Sequence, residues 1–327
     1  MKKTTLILTI AAIVIVVLLV GRFYFSEADF SLSNPAWNGM AGLSGNVNSL
    51  YSFSDLPEAD ANGTLLIVGP TQNYTESEAG LVQAYMGRGG RTIVMDDYGT
   101  ANSLLELLGS PVTLYQQPLC QDGSFYRTPA FPIIDDIGNA SVLSGTGPLY
   151  FNHPVPLNVT GPGVVLASTS SLAWIDSNDN ARLDAGEQFG TYPVAASVSY
   201  GKGELVVIGD PDLLINSMVD MGNNSALIGN VVSKGPVYVD AAHGHGAPPL
   251  AVVYHLLKTD VVTQVLLVLL TVIAGYGVYR RADILRRFAP RKPETGERQD
   301  ARDDIISYMM VKLPLTEREA QELKKKL

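Results

Sequence analysis

Residues 63–109 read GTLLIVGPTQNYTESEAGLVQAYMGRGGRTIVMDDYGTANSLLELLG, and this stretch decides the fold. The apolar run Thr64-Leu65-Leu66-Ile67-Val68, bounded by Gly63 and by Gly69-Pro70, reads as a short buried strand. A helix follows: Thr75 and Glu78 form a capping box, Leu81, Val82, Tyr85 and Met86 share one face, and the glycine-rich residues 87–90 end it. The next strand, Arg91–Met95, leads through Asp96-Asp97-Tyr98-Gly99 into a second helix over 101–108, stopped by Gly109. Strand, helix, strand, helix at this spacing predicts a parallel sheet with right-handed crossovers, an α/β fold.

Downstream, apolar runs at 164–167, 205–209 and 237–239 continue the pattern, with a helical stretch over 225–232. Tyr200-Gly201-Lys202-Gly203 is a turn that joins 194–199 to 205–208 as an antiparallel pair. Residues 110–163 are rich in Pro and Gly and lack periodicity, which predicts a loop-rich insertion with short strands.

The ends of the chain differ from this core. Residues 6–20 carry no charge, and the apolar stretch reaches Phe25, enough residues to cross about 30 Å of hydrocarbon as a helix. Residues 1–25 are therefore expected to be an amino-terminal transmembrane helix; a cleaved signal peptide ending near Ser26-Glu27-Ala28 is the rival reading. A second span is expected over 261–279, followed by Arg280, Arg281, Arg286, Arg287, Arg291 and Lys292. Basic residues hold span ends on the cytoplasmic side, so both termini are expected in the cytoplasm, with residues 26–260 as an extracellular domain of a cell-membrane protein. Sequons at Asn62, Asn73, Asn139, Asn158 and Asn223 agree with this and make those asparagines glycosylation candidates.

Charge narrows the function. Residues 26–260 hold 7 Lys+Arg against 23 Asp+Glu, whereas the tail, 280–327, holds 13 against 9. An anionic domain without a basic stripe repels phosphate backbones, which argues against nucleic-acid binding. The single cysteine, Cys120, forbids an intrachain disulfide and a cysteine-based zinc cluster.

Three groups of residues carry candidate chemistry. Asp96 and Asp97 follow a strand, where open parallel sheets bind ligands and two acids suit a cation or an amine; the alternative is capping of the next helix by Asp97 or Thr100. Asp240, His243 and His245 form a zinc-capable D-x-x-H-x-H set, or more simply a polar connector before Pro248-Pro249. His153 and His255 have no evident partner. The third group is DSNDNARLDAGE, residues 176–187, which follows a twelve-residue calcium loop at every specified position but the sixth. Asp176, Asn178, Asn180, the Arg182 backbone carbonyl, Asp184 and Glu187 would supply hard oxygen ligands to calcium in a structural role, and Ala181 stands where Gly is expected. An Asn/Asp-rich turn held by its own side-chain hydrogen bonds is the other reading.

LLIVGPTQNYTESEAGLVQAYMGRGGRTIVMDDYG, residues 65–99, resembles the central part of class I glutamine amidotransferase-like domains. GKGELVVIGDPDLLINSMVDMGNNSALIGNVV, residues 201–232, is similar to the carboxy-terminal part of that fold in prokaryotic membrane proteins and in auxiliary components of gliding-motility-type ABC transporters. The best match is a domain-of-unknown-function family of anchored proteins, often encoded beside MoxR-type AAA+ ATPases. The resemblance implies a flavodoxin-like, amidotransferase-like parallel sheet between the two transmembrane helices. In that fold a cysteine thiolate acts at the turn matching residues 96–99, where this chain has none, so the family's catalytic assignment does not transfer. The expected role is a non-catalytic accessory, sensing or assembly protein working with a MoxR-type ATPase; the alternative is a hydrolase using Asp96/Asp97 or a metal at Asp240, His243 and His245. In the tail, Ile305, Ile306, Met309 and Met310 share one helical face and Thr316 with Glu319 caps a second helix, suited to docking on such a partner.

Overall fold

The structure, a computed structural model, describes residues 28–43 and 47–244, together with scattered positions between 265 and 322. The chain divides into two compact units, Val17–Gln264 and the combination of Met1–Val16 with Val265–Leu327. The first unit begins with strands β1 (Val47–Leu50), β2 (Thr64–Val68) and β3 (Arg91–Met95). Six strands of two or three residues follow: β4 (Val112–Leu114), β5 (Leu119–Gln121), β6 (Ile133–Ile134), β7 (Asp136–Ile137), β8 (Leu149–Tyr150) and β9 (Leu157–Val159). The series ends with β10 (Val164–Ser168), β11 (Ala173–Ile175), β12 (Pro193–Tyr200), β13 (Gly203–Ile208) and β14 (Val237–Asp240). Helices α1 (Glu76–Gly87), α2 (Ala101–Leu107) and α3 (Asn224–Ser233) pack against them.

Eight strands form one sheet in the order β1-β14-β2-β3-β13-β12-β10-β7. The first five run parallel, and β12, β10 and β7 extend the sheet by antiparallel pairing. Alternation in β2 explains how it is covered. Leu66 and Val68 enter one core with Ile93, Met95, Val206 and Ile208 and with Leu227 and Val231 of α3. Leu65 and Ile67 enter the opposite core with Val82, Tyr85 and Met86 of α1 and Leu104 and Leu105 of α2. A strand buried on both faces reads as an unbroken apolar run, as residues 64–68 do. Each fully buried aliphatic chain contributes roughly 1.5–3 kcal/mol, so the two cores hold the parallel half firmly.

Local signals are met closely in this half. The Thr75 hydroxyl accepts from the Glu78 amide while the Glu78 carboxylate accepts from the Thr75 amide, completing the capping box. The buried face of α1 is Ala79, Val82, Tyr85 and Met86, with Leu81 only partly covered. Gly109, at φ +62°, closes α2 in the left-handed conformation that favours glycine.

Two expectations are corrected. The sheet is mixed rather than parallel, because the β12–β13 hairpin turns the chain back and β10 follows it antiparallel. The flavodoxin-like sheet between two transmembrane helices is not found: among the described residues no helix is long and apolar enough to cross a membrane. Helix α1, at 12 residues, rises only about 18 Å, and its exposed face is polar. The same finding corrects the two-span, cell-membrane placement with cytoplasmic termini and an extracellular 26–260. Residues 1–25 lie outside the described residues, as do most of 261–279.

Candidate functional site

The carboxyl ends of β3 and β13 lie side by side, since Met95 is in register with Ile208. Asp96, buried, follows β3; its Oδ1 accepts from the Gly99 amide at 3.1 Å and its Oδ2 from the Ala101 amide at 2.9 Å. Asp96 therefore does the capping expected of Asp97 or Thr100, and the Thr100 side chain makes no cap. Gly99 is required at this turn, because a Cβ there would stand 2.4 Å from Asp96 Oδ1 and from the Pro70 carbonyl. Burial pushes the Asp96 carboxyl up to about 6, against the pull of the Ala101 amide, and Asp97 adds to the rise.

Across the gap, Gly209-Asp210-Pro211-Asp212 leaves β13. Asp210 is fully buried and accepts from the Asn152 amide at 2.6 Å and the Asp212 amide at 2.8 Å. The Asn152 side-chain amide donates to Asp212, tying both acids to the residues after β8. Burial, then the neighbouring charges of Asp212 and Asp97, holds Asp210 well above the ordinary carboxylate range. Asp212 rises to about 6 through burial and then Asp97. Tyr98, half exposed at this edge, is also raised, by burial first and then by Asp97, Asp179, Cys120 and Asp210. The edge is thus a set of carboxylates, Asp96, Asp97, Asp210 and Asp212, beside one exposed phenol. Sequence reasoning reached Asp96 and Asp97 but missed Asp210, Asp212 and Asn152. A carboxylate directly after an apolar strand, followed by Pro, was the available signal for Asp210.

The 176–187 loop follows β11, which pairs with β5. Asp176 is buried and accepts from the amides of Asn180 at 3.3 Å and Ala181 at 2.6 Å. Asp184 accepts from the side-chain amides of Asn178 at 2.8 Å and Asn180 at 2.6 Å, and the Asn180 oxygen accepts from the Arg182 amide. Glu187 closes the loop on the Ser177 and Asp184 amides. These hydrogen bonds keep Asp184 and Glu187 below their ordinary pKa and so charged. Ala181 adopts φ +55°, the left-handed geometry that glycine supplies at the sixth position. Its side chain packs on the small cluster of Cys120, Ala130 and Trp174, which offsets a strain of about 1 kcal/mol. Among the described residues, no three His, Cys, Asp or Glu side chains are gathered as a metal-holding group.

Asp240 and His243 do come together, in direct hydrogen bonding at 3.0 Å, while His245 lies outside the described residues. The other imidazole nitrogen of His243 faces Glu78 at 3.4 Å, so both ring nitrogens are engaged by carboxylates rather than open to a metal. His153 is exposed and stands edge-on to Phe131, and His255 is outside the described residues. Asn62, Asn73, Asn139 and Asn158 are exposed and Asn223 is half-buried. Cys120 is fully buried and its thiol donates to Asp176 at 3.7 Å; burial, then the Asp176 charge, pushes it up to about 12.

Fold and edge together define a mixed α/β domain with an acidic rim at the carboxyl ends of its parallel strands. Residues 34–232 match the family described as Domain of unknown function (DUF4350), and the chain belongs to it. Among solved structures, the mmIFT52 N-terminal domain is 20% identical over 56% of this chain and 79% of that one, with a TM-score of 0.43. Cytoplasmic Protein STM3548 from Salmonella typhimurium is 10% identical, covering 54% of this chain and 74% of that one at a TM-score of 0.32. The β-galactosidase from Bacillus circulans sp. alkalophilus is 14% identical, covering 53% of this chain and 22% of that one at 0.29. No curated protein matches the chain.

Proposed function

We propose that the domain binds its ligand without transforming it, as an accessory, sensing or assembly component. One observation carries this reading: the only cysteine is a buried thiol raised to about 12, bonded to Asp176, while the strand-end turn spends Asp96 on capping α2. A thiolate nucleophile needs a lowered pKa and access, and Cys120 has neither.

The ligand we propose for the rim of Asp97, Tyr98, Asp210 and Asp212 is a cationic amine. Carboxylates raised by burial and then by one another's charge are stabilised when a positive charge arrives, and an exposed phenol ring adds a face for it. Calcium is proposed separately for residues 176–187, supported by the left-handed Ala181 and the charged Asp184 and Glu187. Calorimetric titration with calcium and with a simple diamine tests both. The D97N/D212N double variant is expected to weaken diamine binding about tenfold or more, and E187Q to abolish calcium binding. Wild-type affinity for both probes in both variants would remove the proposal.

For a partner we propose a MoxR-type ATPase, supported by the resemblance of residues 65–99 and 201–232 and by the tail. There the Thr316 amide and hydroxyl donate to Glu319 at 3.0 and 2.7 Å, the start of a capped helix. Deleting residues 300–327 is expected to abolish recovery of the ATPase with the tagged chain; unchanged recovery would exclude docking through the tail.

A further inference from the structure

The residues that leave the sheet after β14 are held by a cluster centred on His243. Asp240 ends β14, and its carboxylate accepts from the Tyr74 hydroxyl at 2.6 Å, from His243 Nδ1 at 3.0 Å and from the amides of Ala242 and His243 at 2.9 and 3.1 Å. The His243 ring stacks on Tyr74, with centroids 3.9 Å apart, and Phe53 stands edge-on to it at 5.0 Å. The imidazole Nε2 faces Glu78 Oε1 at 3.4 Å, and the other oxygen of Glu78 is committed to Thr75. The backbone completes the hold. The Thr71 amide donates to the His243 carbonyl at 2.8 Å, the Thr71 hydroxyl lies 3.2 Å from the carbonyls of His243 and Gly244, and the Ala241 amide donates to Leu50 at 2.9 Å.

We propose that His243 is a proton-operated latch, which in its charged form clamps residues 241–244 between β14 and the start of α1. The groups facing the ring are Asp240 from β14, Glu78 from α1 and the Tyr74 hydroxyl from the β2–α1 loop; Phe53, from the segment after β1, brings no charge. Two carboxylates on opposite sides of one imidazole are matched to a ring that carries a proton on each nitrogen. When the ring is neutral, the Nδ1 proton stays with Asp240, because Asp240 is the nearer and more buried acceptor. The bare Nε2 lone pair is then turned towards the Glu78 carboxylate, and attraction becomes repulsion. Burial opposes charge on His243, yet the hydrogen bond and charge of Asp240, followed by those of Glu78, outweigh it and raise the imidazole above its ordinary value. A raised imidazole gives stabilisation that is complete below the unfolded value of about 6.5 and is lost as pH rises through the folded value. Acidification therefore fastens the segment and alkalinisation loosens it. The latch sits at the end of β14, so a proton governs how tightly residues 241–244 are held against Thr71 and Leu50.

Hydrogen exchange read by mass spectrometry on the full chain, corrected for intrinsic exchange rates, tests this. Protection of Thr71 and of residues 241–244 is expected to fall severalfold between pH 6 and pH 9, as the imidazole held above its ordinary value loses its proton. In H243Q the protection of these amides is expected to be low and flat with pH. E78Q keeps a side chain that can serve the capping box but removes the charge facing Nε2, so its step is expected at lower pH. Should H243Q disturb folding, seen as lost protection in β2 and β3, the E78Q displacement alone decides. A step that persists in H243Q, or one that stays in place in E78Q, would overturn the latch.

Discussion

Gly209→Ala is expected to lower the unfolding free energy by about 3 kcal/mol, because its new methyl has nowhere to go. A Cβ at this position would lie 2.0 Å from the Val155 carbonyl oxygen. That oxygen cannot simply yield, since the Val155 amide donates to Gly209 at 2.8 Å and the Gly209 amide donates to Val194 at 2.9 Å, pinning both chains. Any relief must move the backbone that presents Asp210, so the rim should be disturbed together with the core. Chemical denaturation at neutral pH measures the loss. Gly80→Ala in α1 is the control: nothing lies within 4 Å of its Cβ, and it is expected to be neutral or to stabilise by up to about 1 kcal/mol. A Gly209→Ala protein as stable as wild type would show that Gly209 and Val155 are not in this close contact.

The second large effect is a gain. Asp97→Asn is expected to stabilise the protein at pH 7.5 by about 2 kcal/mol while changing little at pH 4. Asp97 adds its charge to the upward shifts of Asp96, Asp210 and Asp212, whose leading cause is burial. Each of these carboxyls is held above its unfolded value, so between about pH 4 and the folded values the native state keeps protons that the unfolded chain has released. Stability must then fall as pH rises through that window, which extends past about 6 for Asp96 and Asp212 and higher for Asp210. Removing one shared charge shortens the fall. The Asn oxygen can still accept from the Tyr98 amide, so the turn is preserved. Thermal or denaturant unfolding from pH 4 to 8 should show the two proteins diverging upward in pH. Parallel curves, or a variant less stable at pH 7.5, would mean that the acids do not share a field. Such a cost at the strand ends agrees with the binding role proposed for the rim, since functional sites contribute poorly to stability.

The same residues show how much of the fold and the rim was legible in the sequence. β2, α1, β3 and α2 were readable because each carries its own local signal: an unbroken apolar run, a capping box, a glycine stop. Pairing across 113 residues between Arg91 and Glu204 carries no such local signal. The strand Gly203–Ile208 was recognisable, but its place beside β3, and hence the reach of the Asp97 charge to Asp210, was not. Asp210-Pro211-Asp212 looks like an ordinary turn, and only sheet order turns it into a wall of the site. The reversal to antiparallel pairing was half visible in the Gly201-containing turn, while β10 and β7 depend on contacts made by a loop-rich insertion without periodicity. The calcium-type loop was legible as chemistry but not as packing: nothing in the motif said that the alanine at its sixth position would sit left-handed on a cluster around Cys120.

The far margin of the sheet has a consequence for handling the protein. β7 reaches only Ala167 and Ser168 of β10, so among the described residues no strand lies beyond Val164 and Val165, and both valines are exposed. Two β-branched residues on an open margin are an invitation to zip against another extended chain, and the brevity of that stretch is what limits it. In concentrated solution, self-association should begin from this margin rather than from the acidic rim, where like charges keep copies apart.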